Sequence, residues 1–460
     1  MNPCDIQTLC GAVAGELVGG DGTRMTSGTV STDTRTIDHG ALFIALKGDR
    51  FDAHDFLGEA VKKGAACLVV NHLPEGFDPG AAGVIQVSDT LIALQRLARW
   101  YRELLDVVVV GITGSNGKTT TKDFTASVLR QRFKVHATVG NLNNHIGVPL
   151  TILSAAPDTD VFVLEMGMNH PGEIAPLCEI ARPHLGIITN IGTAHIEFMG
   201  SRDSIAEEKG ALARCLPEVG TLIMPAGCDY VDYFRRRSQA NTIAVGNGRG
   251  AIRAEQLTFD AEGASFELIT DRHGAIHIDL PVAGRHMVTN SLLAAAAGWT
   301  LGLTLDEIRA GLEEPELTGG RLKRYQSEGV IVFDDTYNAN PESVRAAIET
   351  LADQPVENGH TKTVVLGMMA ELGSHADEMH RAVGRHAAEN GIRVISVGEE
   401  AESISEAARE AGADTARHFT DYRQAADWLR ASAHAGDYVL FKGSRLAAVE
   451  SVMNEAFPKD

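Results

Sequence analysis

The chain has 460 residues, 44% of them apolar and 22% charged, which is enough to bury several hydrophobic cores and suggests about three domains. Against 41 basic side chains stand 61 acidic ones, and a formal charge of −20 excludes broad nucleic-acid binding, because affinity for a phosphate backbone needs a basic face. No apolar run is long enough to span a bilayer, and the start MNPCDIQTLCGAVAGEL lacks the cationic and apolar regions of a signal peptide, so membrane insertion is not expected and a cytoplasmic location is.

In chain order, VSTDTR and ALFIALKG read as strands, DAHDFLGEAVKKGA as a helix and ACLVV as a further strand, giving a mixed α/β unit. Leu94, Leu97, Ala98, Tyr101 and Leu105 recur at helical spacing, so a linker helix closes a first domain over 1–105. From 106 to 318 the runs VVVVGIT, VFVLEMG, LGIITNIG, TLIMPAG and TIAVG alternate with helical stretches, the mark of a largely parallel sheet. AIRAEQLTFD and ASFELIT flank a turn at 261–263 and read as antiparallel strands. MVTNSLLAAAAGWTLG is helical, and Thr304 with Glu307 fits a capping box. Gly319-Gly320, a hinge or a plain turn, opens a third domain over 319–460, with strands VIVFDD, TVVLG, RVISVG and DYVLFKG in an open α/β arrangement.

The six cysteines, Cys4, Cys10, Cys67, Cys178, Cys215 and Cys228, contain no C-x-x-C pair and read as reduced thiols, mostly in the core, rather than zinc ligands. The chemistry concentrates elsewhere. Gly114-Ser115-Asn116-Gly117-Lys118-Thr119-Thr120 follows an apolar strand and opens a helix, the arrangement in which backbone N–H groups and a helix N-terminus meet phosphate, Lys118 reaches the outer phosphates and Thr119 ligates magnesium. The generic spacing asks for glycine at 112, where Ile112 stands; the loop carries Gly114 instead. Glu165 ends an apolar strand, where a carboxylate is costly to bury unless it meets a cation or donors. His195 and Lys209 follow in chain order. In an acidic chain any anionic ligand needs local positive groups, for which Lys118, Lys209, Arg321, Lys442 and Arg445 are the candidates.

Taken together and in order, TGSNGKTT, GNLNNHIGVPLT, EMGMNHPGEI, NIGTAHIEFMGS, AEEKGAL, GRHMVTNSLLAAAA, GGRLKRY, DDTYNANPESV, VLGMMAELG and FKGSR resemble the Mur ligase family. GNLNNHIGVPL and DDTYNANP are similar to its dipeptide-adding branch, and the DNPR-type signature of the diaminopimelate-adding branch is absent. The resemblance implies an N-terminal domain that anchors a UDP-sugar substrate, a central P-loop ATPase domain and a Rossmann-like C-terminal domain. It implies ATP-dependent addition of D-alanyl-D-alanine to UDP-N-acetylmuramoyl-tripeptide through an acyl phosphate, by a monomer using Mg2+.

By the same resemblance Lys118 holds the β- and γ-phosphates, Thr119 one magnesium, and Glu165 with His195 a second. Lys209 aligns with a lysine that is carbamylated in the family, with an unmodified amine on phosphate as the alternative. Asn290 matches the adenine position, Asp335 the ribose ligand, and Arg321 a contact to the transferring phosphate. Thr34, Arg35 and Lys47 would meet the uridine nucleotide, and Asn143 and Asn144 the peptide. Asn338, Asn340, Lys442 and Arg445 are partners of the dipeptide or acyl phosphate, or else turn and strand-end residues. Two positions depart from the family pattern: Met287 stands where asparagine is usual, and Met368 where an acid is. The residues do not identify the general base. Other readings are a diaminopimelate- or lysine-adding relative, a folylpolyglutamate synthetase, or a non-catalytic nucleotide-binding scaffold.

Overall fold

The structure, a computed structural model, describes residues 1–459 apart from 49, 261, 262, 272, 273, 357 and 358. Three sheets, mostly parallel, follow one another along the chain. The first runs in the order Glu16–Gly19, Gly83–Gln86, Cys67–Val70, Leu42–Ile44 and Val30–Ser31, with only the Glu16–Gly19 pairing antiparallel. The VSTDTR segment pairs for only two residues. Asp33 then accepts from the Arg35 N–H and turns Thr34–Thr36 into a 3₁₀ helix, because a local side-chain acceptor competes with the ladder.

The second sheet has nine strands. Val108–Thr113 lies at its centre between Val161–Glu165 and Leu185–Ile188, all three parallel, and the chain reverses its direction of growth across the sheet at this point. Such a reversal leaves a crevice beyond the carboxyl ends of the strands, so three loops meet there: 114–117, the segment after Glu165, and 189–195. Thr221–Pro225 and Asn241–Asn247 extend the parallel part, and Ile252–Phe259, Ala264–Thr270 and Gly274–Leu280 form an antiparallel meander at its edge. Two of the three residues of the expected turn, 261 and 262, lie outside the described residues.

The helix Lys118–Arg130 packs against the sheet and against Arg285–Thr300, with Phe124, Val128 and Leu129 buried. Thr304 and Glu307 form the expected capping box at the start of Leu305–Glu313. The third sheet runs Lys323–Ser327, Val330–Asp335, Tyr438–Lys442, Lys362–Leu366, Arg393–Val397 and Arg417–Phe419, antiparallel only at its first pairing. The linker into it is tied to the lysine-loop helix: the Thr318 N–H donates to Asp123 Oδ2 at 2.8 Å, and the other oxygen of this buried carboxylate lies 2.6 Å from Lys122 Nζ. Among the described residues, no helix is long and apolar enough to cross a membrane.

Candidate active site

Val108–Thr113 delivers the chain to Gly114 and Gly117, whose φ angles of 150° and 76° suit glycine. A Cβ at Gly114 would come 1.9 Å from Thr189 Oγ1, so the loop can lie against its neighbour only without a side chain there. Polar contacts hold it in place. The Ser115 and Asn116 N–H groups donate to the backbone and side-chain oxygens of Asn190, and Ser115 Oγ accepts from the Gly192 N–H. The helix from Lys118 has no side-chain cap, which leaves its first N–H groups for an anion. Lys118 Nζ donates to the Gly114 carbonyl at 2.8 Å, and burial pushes its amine below the usual lysine value, against the pull of Glu165. Thr120, in the same first turn, is buried.

A cavity of about 570 Å³ opens over this loop. Glu165, 3% exposed, projects from its strand end and accepts from Thr119 Oγ1 and Asn143 Nδ2, both at 2.8 Å. Both donors are neutral, so the carboxylate's charge is left for a cation. Thr138 Oγ1 accepts the Glu165 N–H and fixes the strand end. His195 stands on the 189–195 loop with φ 63° and caps the short helix Ile196–Met199; its Nδ1 lies 2.5 Å from Glu371 Oε2 of the third sheet's layer. That hydrogen bond holds the Glu371 carboxyl below the usual range. Lys209, in Arg202–Cys215, is 1% exposed, and burial followed by the nearby Lys118 charge holds its amine well below the usual lysine value.

The opposite wall comes from the third sheet. Asp335 and Lys442 end neighbouring parallel strands, and Lys442 Nζ lies 2.6 Å from Asp335 Oδ2 and donates to the Asn338 carbonyl. Burial raises the Asp335 carboxyl and Lys442 opposes the rise. Arg321 lays its guanidinium 4.4 Å from the Tyr337 ring centre and keeps a buried Nε with no partner among the described residues, as an anion-seeking group would. Asn340 caps Pro341–Asp353 and also donates to Asn116 Oδ1 at 2.6 Å, while Glu342 accepts from both the N–H and the hydroxyl of Thr193. Arg445 is exposed and paired with Glu450.

Asn290 is buried behind Gly117, where it borders a second cavity of about 280 Å³ shared with Asn190 and His286. Burial, then Lys442, pushes the His286 imidazole down to about 4. Met287 is buried on the main cavity, and Met368 packs against the third sheet's core.

The lysine loop, Glu165, His195, Asn290, Arg321, Asp335, Lys442 and Arg445 thus border one space. Asn143 and Asn144 border it too, but Asn143 spends its amide on Glu165, and Asn144 Oδ1 accepts from the Ile146 and Gly147 N–H groups in the turn before the helix Gly147–Leu153. Thr34, Arg35 and Lys47 do not line it: Arg35 pairs with Asp33, Lys47 lies 3.6 Å from Asp52, and the Thr34 carbonyl accepts from Lys63. Glu342, Glu371, Asn190 and Thr138 escaped the sequence reading as site residues. The first three sit inside segments already singled out, where an acid or amide beside a motif residue was the available signal.

Models of the Mur ligase family catalytic domain, the Mur ligase middle domain and the Mur ligase glutamate ligase domain match residues 27–106, 112–298 and 320–445. Over 457 residues the chain is 38% identical to UDP-N-acetylmuramoyl-tripeptide--D-alanyl-D-alanine ligase of Escherichia coli (strain K12), with 97% of each chain covered. Among solved structures it is similar to MurF from Acinetobacter baumannii, with a TM-score of 0.91, 33% identity and 99% of each chain covered. It is also similar to MurF ligase from Thermotoga maritima in complex with ADP, with a TM-score of 0.83, 29% identity, and 93% of this chain and 96% of that one covered.

Proposed function

The chain belongs to the Mur ligase family, and from that membership we infer that it is an ATP-dependent amide ligase. It adds D-alanyl-D-alanine to UDP-N-acetylmuramoyl-tripeptide and yields the pentapeptide precursor of peptidoglycan, ADP and phosphate. The observation that carries this reading is the convergence on one cavity of an uncapped lysine-loop helix, a buried carboxylate with only neutral donors, and cationic groups from the third sheet's side.

A carboxylate oxygen is a poor leaving group, so amide formation needs an activated acyl group. The tripeptide's terminal carboxylate attacks the γ-phosphorus, the bond to ADP breaks, and an acyl phosphate forms. Lys118 and Arg321 offset the charge that gathers on the transferring oxygens. The dipeptide amine then attacks the acyl carbon, and the tetrahedral intermediate expels phosphate.

Asn290 and the smaller cavity suit the adenine, and Asp335, released from Lys442, suits the ribose. Freed from Asp335, Lys442 joins Asn338, Asn340 and Arg445 on the dipeptide and acyl-phosphate side. Asn143 shapes the peptide's approach through Glu165, and Asn144 through the turn it closes before Gly147–Leu153. Thr34, Arg35 and Lys47 stand apart from the cavity, as suits residues that would grip the uridine end of a long substrate. On this division 1–105 anchors the nucleotide sugar, 106–318 binds ATP and 319–460 brings the dipeptide. All of these groups come from one chain, so a monomer suffices, and its UDP-linked and ATP substrates suit the cytoplasm.

The residues fit magnesium. Thr119 and Glu165 are hard oxygen donors and His195 borders the same space, while no group of three His, Cys, Asp or Glu side chains converges among the described residues. That pattern suits an ion that takes most of its shell from phosphate oxygens and water. Bound there, it would neutralise triphosphate charge. Lys209 is buried with its neutral form favoured, which makes the amine a nucleophile toward CO2. Lys209 does not line the cavity itself but lies within reach of the Lys118 charge, and carbamylation would turn it into an anion beside that lysine. Lys209→Ala is then expected to lose activity that added acetate partly restores; loss without restoration favours an unmodified amine on phosphate.

The test offers UDP-N-acetylmuramoyl-tripeptide and ATP with D-alanyl-D-alanine, diaminopimelate, lysine or glutamate, and follows phosphate release. Release with the dipeptide is expected, and ¹⁸O from the tripeptide carboxylate should appear in the phosphate. Release only with a single amino acid, or ATP binding without any amide product, would reject the assignment.

A further inference from the structure

We propose that Glu371 is a positioning residue for His195, holding its imidazole so that Nε2 keeps a free lone pair toward the cavity. The third domain would thereby complete a ligand of the second. The proposal deepens the reading above and rests on His195 serving the metal.

The geometry is specific on both sides. Glu371 Oε2 lies 2.5 Å from His195 Nδ1, across 176 residues of sequence. A carboxylate only accepts, so the imidazole hydrogen belongs on Nδ1 and Nε2 is left as the basic nitrogen. Neither backbone is relaxed: His195 has φ 63° and Glu371 φ 61°, left-handed values that residues with a Cβ adopt at a cost and keep only where their surroundings fix them. Here each supplies surroundings for the other. The Glu371 carbonyl accepts from the Glu197 N–H at 3.2 Å, two residues past the histidine, so backbone and side chain both cross between the domains at this point. The His195 carbonyl accepts from the Phe198 and Met199 N–H groups and starts the helix Ile196–Met199, which holds the ring's root.

Glu342 strengthens the argument by gripping the same loop two residues earlier, through the N–H and hydroxyl of Thr193. The 189–195 loop, which also fastens the lysine loop through Asn190, is therefore set from the third domain at two points. An imidazole free to turn over, or to carry its hydrogen on Nε2, would present a donor where an acceptor is needed.

The experiment uses the full chain with histidine labelled by ¹⁵N. In the metal-free protein His195 is expected as the Nδ1–H tautomer, and in Glu371→Ala as a mixture or as Nε2–H. Binding of Mn2+ with ADP, read by electron paramagnetic resonance, is expected to weaken about tenfold or more in Glu371→Ala, as is usual for loss of a ligand's hydrogen-bond partner. Glu371→Gln, whose amide oxygen still accepts, should keep the tautomer and recover most of the affinity. His195→Ala should weaken Mn2+ as well, and the double variant should be no worse than His195→Ala alone. If His195→Ala weakens Mn2+ while Glu371→Ala does not, or if the two effects add, the positioning role is overturned and the metal role of His195 stands. If neither matters, both fall. Should Glu371→Ala lose its melting transition, Glu371→Asp takes its place: its shorter carboxylate should lose the tautomer and weaken Mn2+, and unchanged values for both would overturn the proposal.

Discussion

Lys118 and His286 show how burial sets charge at this site. Lys118 is held among backbone carbonyls with its ammonium disfavoured, so a triphosphate offers it a better partner than the loop does. Lys118→Ala should lower kcat by about 10²–10³-fold or more, the scale for removing one preorganised charge-stabilising donor, with the folded state intact by circular dichroism. An unchanged rate would remove the phosphate role. His286 is half-buried and neutral, its imidazole held at about 4 by burial and by Lys442, against the usual histidine value of about 6.5. Between these values the unfolded chain binds a proton that the folded chain refuses, so this contribution is fully present above pH 6.5 and is lost as pH falls toward 4. The difference corresponds to about 3 kcal/mol at most. A pH series of melting temperatures should therefore fall less steeply below pH 6.5 in His286→Asn than in the parent. Parallel curves would show that the imidazole is protonated in the folded chain too.

At the scale of elements, two local devices have separable effects. The Thr304 and Glu307 capping box satisfies N–H groups at the start of Leu305–Glu313, far from the cavity, so Thr304→Ala should cost about 1 kcal/mol in denaturant unfolding and leave KM for ATP unchanged. Gly114→Ala puts a methyl against Thr189 and should weaken ATP binding at least tenfold, read by calorimetry, while helix content stays constant. Elements of this kind were legible in the sequence because their signals are local: the lysine loop, the capping box and the apolar strands that end at Thr113, Glu165 and Ile188. Edge strands were not. Lys323–Ser327 is polar and mostly exposed, and Val135–Ala137 has three half-buried residues, so neither carries an apolar alternation to read. Asp33 cut the VSTDTR strand short by a side-chain bond that periodicity does not register. The pairings of Glu371 with His195 and Glu342 with Thr193 arise from tertiary packing, which no spacing along the chain encodes.

At the scale of the whole molecule, the third domain meets the second's two nucleotide-side loops through small polar contacts, Asn340 to Asn116, Glu342 to Thr193 and Glu371 to His195. Contacts of this size are replaceable by water, which suits a site that must admit three substrates and release three products. Glu342→Ala should raise KM for the dipeptide and shift small-angle scattering of the ATP-bound enzyme toward a larger radius of gyration. An unchanged radius would mean that other contacts carry the closure.

The Thr318–Asp123 tie has a mechanical consequence. Asp123 sits on the same rigid rod whose first turn faces the cavity, about 8 Å along it at 1.5 Å per residue, so the fulcrum for any swing of the last 140 or so residues lies almost beside the phosphate cradle. A lever pivoted there moves Arg321 little, being three residues from the pin. Arg321 can therefore wait over incoming phosphate before the swing.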